Sequence, residues 1–166
     1  MNILPLVASV LITVATNTNI LIREEKEIID ETFNQRVETL EVFFESYDSP
    51  LKEHSETFVE VAEKYDLDYR LLPSISCMES SCGKRLLPES YNPFGWGIYG
   101  NNAIYFKDYD EAIETVGKGI KDNYVDKGLD SIDKMAPVYT PPNHVKWLNG
   151  VRYFYNEIDQ HELNNS

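Results

Sequence analysis

The sequence predicts a mainly α domain with a small glycine- and aromatic-rich insert after one helix, and three observations carry that prediction. Apolar residues recur at spacings of three and four in successive stretches, each bounded by a cap, a proline or a glycine. Residues 84–107 break this period with Pro88, Pro93, Gly95, Gly97 and Gly100 and with short alternations such as "NAIYF". At 166 residues the chain has room for one domain with a real core plus extensions.

Residues 3–15, "ILPLVASVLITVA", are an uncharged apolar run of signal-peptide length, followed at once by polar "TNTN". Adding "NILI" at 19–22 brings the segment to about 20 residues, enough for an anchor. Residues 1–22 are therefore expected to be a signal peptide or an N-terminal membrane anchor. The protein is then exported, either secreted or held at the cell envelope.

Residues 23–48 read as an acidic amphipathic helix in which Ile29, Phe33, Val37, Leu40, Phe43, Phe44 and Tyr47 share one face. That spacing suits packing on the main domain, and also fits heptads through which two copies could self-associate. The main domain is expected over 49–160, with a polar tail at 161–166.

Ser49 and Pro50 resemble an N-cap and first helical position, predicting a helix from about 50 to 65 with Leu51, Phe58, Val59, Ala62 and Tyr65 inward. Asp68 opens the next helix, whose apolar positions are Leu71, Leu72, Ile75 and Met78. It runs to about Ser80 before Gly83 stops it. The insert follows and is expected to hold a loop and a small hairpin. Asp108 with Glu111 forms a capping box for a helix through Tyr124. Asp130 and Asp133 suggest a second such start before a short helix ending at Pro137. Trp147, Val151, Phe154 and Ile158 mark a closing helix to about residue 159.

The formal charge is −13, and residues 23–68 hold 15 acids against 5 bases. Nucleic acid is thus not an expected partner, because phosphate binding needs clustered Lys and Arg and no basic run occurs. No metal-ligand spacing is present, and nothing implies a cofactor.

Chemistry concentrates at "SISCMESSCGK", where Glu79 lies between Cys77 and Cys82. At the last turn of a helix a carboxylate meets the negative end of the helix dipole, which raises its pKa. A carboxyl that keeps its proton near neutral pH suits general acid catalysis of glycoside cleavage. A partly exposed helix-end glutamate without chemistry is the plainer alternative. The next segment, "SYNPFGWGIYG", begins a run of seven aromatics within residues 91–109. Aromatic faces accept the CH face of a pyranose, and Asn and backbone groups beside Gly bind its hydroxyls and amides. Trp96, between two glycines, is the best sugar platform, with Tyr91, Asn92, Phe94, Gly95, Gly97 and Tyr99 around it.

These stretches, together with "YFKDYDEAIETVGKGI" and "APVYTPPNHVKWLNGVRYFYNEI", resemble the lysozyme-like superfamily over about residues 50–158. The nearest branch is the bacterial glucosaminidases of the flagellar and autolysin type, with lytic transglycosylases close behind. The resemblance implies an α+β lysozyme-like domain cleaving β-1,4 bonds of an amino-sugar glycan, usually peptidoglycan. It gives Glu79 the role of acid, Asn92 to Gly97 the cleft lining, and Tyr139 a part in positioning substrate or acid. It departs from the branch in one respect: residues 97–106 hold no second acid. Asp108, Asp110 and Glu111 read as acids of a helix start, while Glu89 stays open as a partner. The other reading is a non-catalytic glycan-binding or scaffold protein on the same fold.

Cys77 and Cys82 leave two outcomes open. In a continuous helix they point apart, so a disulfide requires the helix to end near Ser80 and turn back. Otherwise Cys77 is buried and Cys82 idle.

Overall fold

A computed structural model describes residues 4–97 and 103–165, with side chains described for 21–97 and 103–163. Its described elements are α1 (Leu4–Ser46), α2 (Ser55–Lys64), α3 (Leu71–Ser80), α4 (Tyr109–Asn123), α5 (Ile132–Tyr139) and α6 (His144–Asn165), with short 3₁₀ turns at Lys52–His54, Val125–Lys127 and Pro141–Asn143. The protein is mainly α, as predicted. Among the described residues of the insert there is no strand, so the expected hairpin is not formed there. Its turn would fall at 98–102, outside the described residues.

Residues 1–35 form one unit and residues 36–166 another. In the first, Leu21, Ile22, Ile28 and Ile29 are exposed, so Ile29 does not join a buried face. In the second, Leu40, Phe43 and Phe44 of α1 are fully buried, and Phe44 meets Phe58 of α2 with ring centroids 5.3 Å apart. Among the described residues no helix is long and apolar enough to cross a membrane. The expected signal peptide or anchor rests mainly on residues 1–20, whose side chains lie outside the described residues.

Several boundaries differ from the sequence expectation for identifiable reasons. Ser49 Oγ accepts from Leu51 N at 3.0 Å and donates to the Cys82 carbonyl at 2.8 Å, which makes a turn instead of a helix start. Leu51 is thereby fully buried, and α2 begins at Ser55. The α5 cap is Ser131, whose hydroxyl accepts from Lys134 N, while Asp130 pairs with the Lys134 ammonium. This helix runs through Pro137 to Tyr139, and α6 runs on through most of the expected polar tail. The α4 start is a capping box: Asp108 Oδ1 accepts from Glu111 N at 2.8 Å, and Glu111 Oε2 accepts from Lys107 N at 2.7 Å.

The core of residues 36–166 is built around α3, which packs on α6, while α5 also packs on α6 and α2 on α4. Of its ten residues only Met78 and Glu79 are not buried. Such burial suits small side chains: Ser76 and Ser80 return their hydroxyls to the carbonyls of Pro73 and Ser76, each at 2.7 Å, while the buried Ser74 hydroxyl has no hydrogen-bond partner. Pro73 is the third helical residue, where its missing N–H has no intrahelical acceptor to lose. A central helix thus reaches solvent at its C-terminal end, at Glu79.

Candidate active site

The end of α3 is fixed by an unusual backbone. Ser81, Cys82 and Gly83 are three consecutive left-handed residues, with φ of 54°, 57° and 76°. They reverse the chain within one turn, and Cys77 and Cys82 are joined by a disulfide. Further bonds hold the same turn: Ser81 N to Cys77 O at 3.0 Å, Gly83 N to Ser80 Oγ at 2.9 Å and Arg85 N to Ser80 O at 2.9 Å. A Cβ on Gly83 would lie 3.0 Å from Leu51 Cγ, so the turn rests directly on the core.

The insert is held by one amide. Asn92 is buried, accepts from Trp96 N at 3.0 Å, and donates to the carbonyls of Trp96 at 2.9 Å and Ile104 at 3.1 Å. Its role is to tie the loop, since its donors and acceptor are engaged inside it. Phe94 is buried against Phe58 and shows one side to the groove. Gly97, at φ +66°, faces Ile104 so closely that a Cβ would stand 2.3 Å from its Cδ1. Trp96 lies over Gly119 of α4, where a Cβ would come within 2.5 Å of Cζ2. The expected platform therefore stands on a glycine that sequence reading did not single out. Tyr91 packs edge-on against Tyr109, away from the groove, and Tyr99 lies outside the described residues.

Opposite the insert, Tyr139 at the end of α5 packs between Trp96 and Trp147, with centroids at 6.5 and 4.8 Å, and also touches Tyr124 at 5.7 Å. Trp147, 4% exposed, donates its indole N–H to Glu79 Oε1 at 2.9 Å. That contact depends on a close helix crossing. A Cβ on Gly150 would stand 2.2 Å from Met78 Sδ, so the glycine lets α6 approach α3 one turn beyond Trp147.

Three cavities of about 520, 290 and 370 Å³ meet at Glu79. The largest is walled by Phe94, Trp96, Ile104, Tyr124 and Tyr139; the second by Met78, Asn143, Lys146 and Trp147; the third by Arg85, Leu86, Leu87 and Asn92. Gly95 and Thr140 link the segments into one groove. Neither a family model nor a curated protein matches this chain.

Within the groove, Glu79 is exposed by area, yet the groove walls desolvate its carboxyl and push the pKa up. The Trp147 N–H pulls the value down, as the lesser influence. The expected rise is thus present, with desolvation as its main cause in place of the helix end. Among the described residues lining the three segments, Glu79 is the one acid. Asp108 caps α4, and Asp110 accepts from Thr57 Oγ1 at 2.8 Å and lies 2.6 Å from His54 Nδ1. Glu89 is exposed and lines none of the three segments.

Sequence reasoning placed Trp147 in the core and missed it as a partner of Glu79. A usable signal was present, because a buried indole N–H seeks an acceptor and this tryptophan opens an otherwise apolar stripe.

Proposed function

We propose that this chain is a lysozyme-like glycosidase that cleaves β-1,4 linkages of an N-acetylglucosamine-containing glycan, peptidoglycan first among them, with Glu79 as general acid. The observation that carries the reading is the meeting of three groove segments on one desolvated carboxyl beside an aromatic wall. A glycan laid along the groove puts sugars on either side of that carboxyl, which is where a proton donor to a bridging oxygen must stand. Trp96 and Tyr139 offer apolar faces to the sugar rings. The same reading puts the protein outside the cytoplasm, through the apolar run at 3–15.

In this mechanism Trp147 N–H occupies Oε1, so the transferable proton is carried on Oε2. Glu79 gives that proton to the glycosidic oxygen as the C1–O bond breaks. The substrate's 2-acetamido oxygen forms a bond to C1 from the other face, so no second protein carboxylate is required. The Glu79 carboxylate then removes a proton from the incoming nucleophile as it attacks C1 and the acetamido oxygen leaves. Water as nucleophile gives hydrolysis, and the sugar's own 6-hydroxyl gives an anhydro product.

Glu79→Gln assayed on purified peptidoglycan tests the proposal, with an expected loss of about 100-fold or more. Unchanged release of fragments would remove Glu79 from the chemistry. The absence of a second acid among the described lining residues favours one other reading, a glycan-binding protein without turnover. Mass spectrometry of the digest separates the two: new reducing or anhydro ends support the glycosidase, and intact strands that co-sediment with protein support the binder.

A further inference from the structure

Charge in the groove runs against the charge of the chain. The protein carries 28 acids and 15 bases, yet the described lining of the three segments pairs the single acid Glu79 with two bases, Arg85 and Lys146. Elsewhere in residues 36–166 Lys and Arg are consumed by carboxylates: Arg70, for example, by Asp68 and Asp159, and Arg152 by Asp133. Lys84 donates to the Tyr47 carbonyl. Among the described residues of this unit, Arg85, Lys127 and Lys146 are the cations that neither pair with a carboxylate nor donate a side-chain hydrogen bond, and two of the three line the groove. Their segments share Glu79 and no other residue. Neither cation neutralises Glu79, whose own hydrogen bond comes from Trp147.

In a chain with so large an excess of acid, a cation left without a carboxylate is one that the fold does not use. We propose that Arg85 and Lys146 bind carboxylates of the substrate in two separate segments of the groove, so that the ligand is an acidic glycan rather than a neutral N-acetylglucosamine polymer. This rests on the glycan reading of the same groove. Both side chains are exposed, so they act through orientation and encounter and are sensitive to salt. Loss of either is expected to weaken binding by about fivefold, the scale of an exposed ion pair.

The test is calorimetric titration of Glu79→Gln protein, which removes turnover, with three tetrasaccharides. One is a peptide-free glycan fragment of peptidoglycan with its sugar carboxylates; the second is the same fragment with those carboxylates converted to carboxamides; the third retains its peptides. Tighter binding of the first than the second, reduced by Arg85→Gln and by Lys146→Gln and by 0.5 M salt, supports sugar carboxylates as the ligand. Charge-dependent tightening confined to the third supports the proposal with the peptide as carboxylate source. Lys127→Gln serves as the control for net charge, and should change nothing. Equal affinity for all three fragments, no binding of any fragment, or an equal effect of Lys127→Gln would overturn it. Charge-dependent binding by a wild-type protein that never cleaves would sink the catalytic reading alone, and cleavage indifferent to charge would sink this inference alone.

Discussion

At Glu79 the requirements of the site and of the fold oppose each other. Desolvation raises the carboxyl's pKa above its unfolded value, so the native state holds the proton more tightly than the unfolded chain does. Stability is then greatest at pH values below the unfolded pKa of about 4.3, declines as pH rises through the folded pKa, and stays reduced above it. Glu79→Gln should accordingly melt higher than wild type at pH 7, with the gap closing near pH 3.5, as thermal unfolding at the two pH values would show. A melting temperature that is lower at neutral pH would contradict the desolvated carboxyl. Trp147 supplies the counterweight by hydrogen bonding to Oε1. Trp147→Phe keeps an aromatic against Tyr139 but removes the N–H, so the Glu79 pKa should rise further. In the proposed mechanism the acid works in its protonated form, so the alkaline limb of the pH–rate profile should move to higher pH. The turnover rate at the optimum should fall by about tenfold as the carboxyl loses its fixed orientation.

Two small structural units decide where that carboxyl stands. The Cys77–Cys82 disulfide closes a very short loop that ends in the left-handed residues Ser81 and Cys82, and loop-closure entropy assigns it about 2 kcal/mol. Cys77→Ser with Cys82→Ser should lower the melting temperature modestly and depress kcat more than it changes KM, since the lost feature is the aim of Glu79. A KM effect with intact kcat would place the disulfide in binding instead. In α4, Gly119 makes room for the Trp96 indole. Alanine there gains about 1 kcal/mol of helix propensity while its Cβ collides with the ring. Gly119→Ala is therefore expected to weaken glycan binding without loss of thermal stability, and a titration paired with a melting curve checks both. Unaltered affinity would mean that Trp96 does not serve as a platform.

Among the described residues, burial begins late. The residues described in 21–35 contribute nothing fully buried, whereas Thr39, Leu40, Phe43 and Phe44 enter the core. A protein starting at Arg36 should unfold as cooperatively as the full chain, with its melting temperature within a few degrees and its activity on soluble fragments retained. A broad, non-cooperative transition would show that residues 1–35 are needed to complete the fold.

Local rules determined much of this protein from the sequence alone. The capping box at Asp108 and Glu111, the helix end at Ser80 and the apolar stripe of α6 each depend on residues a few positions apart, so their signals are contained in short windows. Glu79 was legible for the same reason, through its place at a helix end before an aromatic loop. Misreadings occurred where a distant partner outbid a local one, as when Ser49 bonded the Cys82 carbonyl 33 residues away and moved the start of α2. Only the tertiary structure could bring Trp147 to Glu79, 68 positions apart, or set Gly119 under Trp96 and Gly150 against Met78. It alone also decided that Asn92 ties the loop and that two unpaired cations line the groove. Such pairings depend on how closely one helix approaches another, and helix spacing is set by packing across the core, which no local period records.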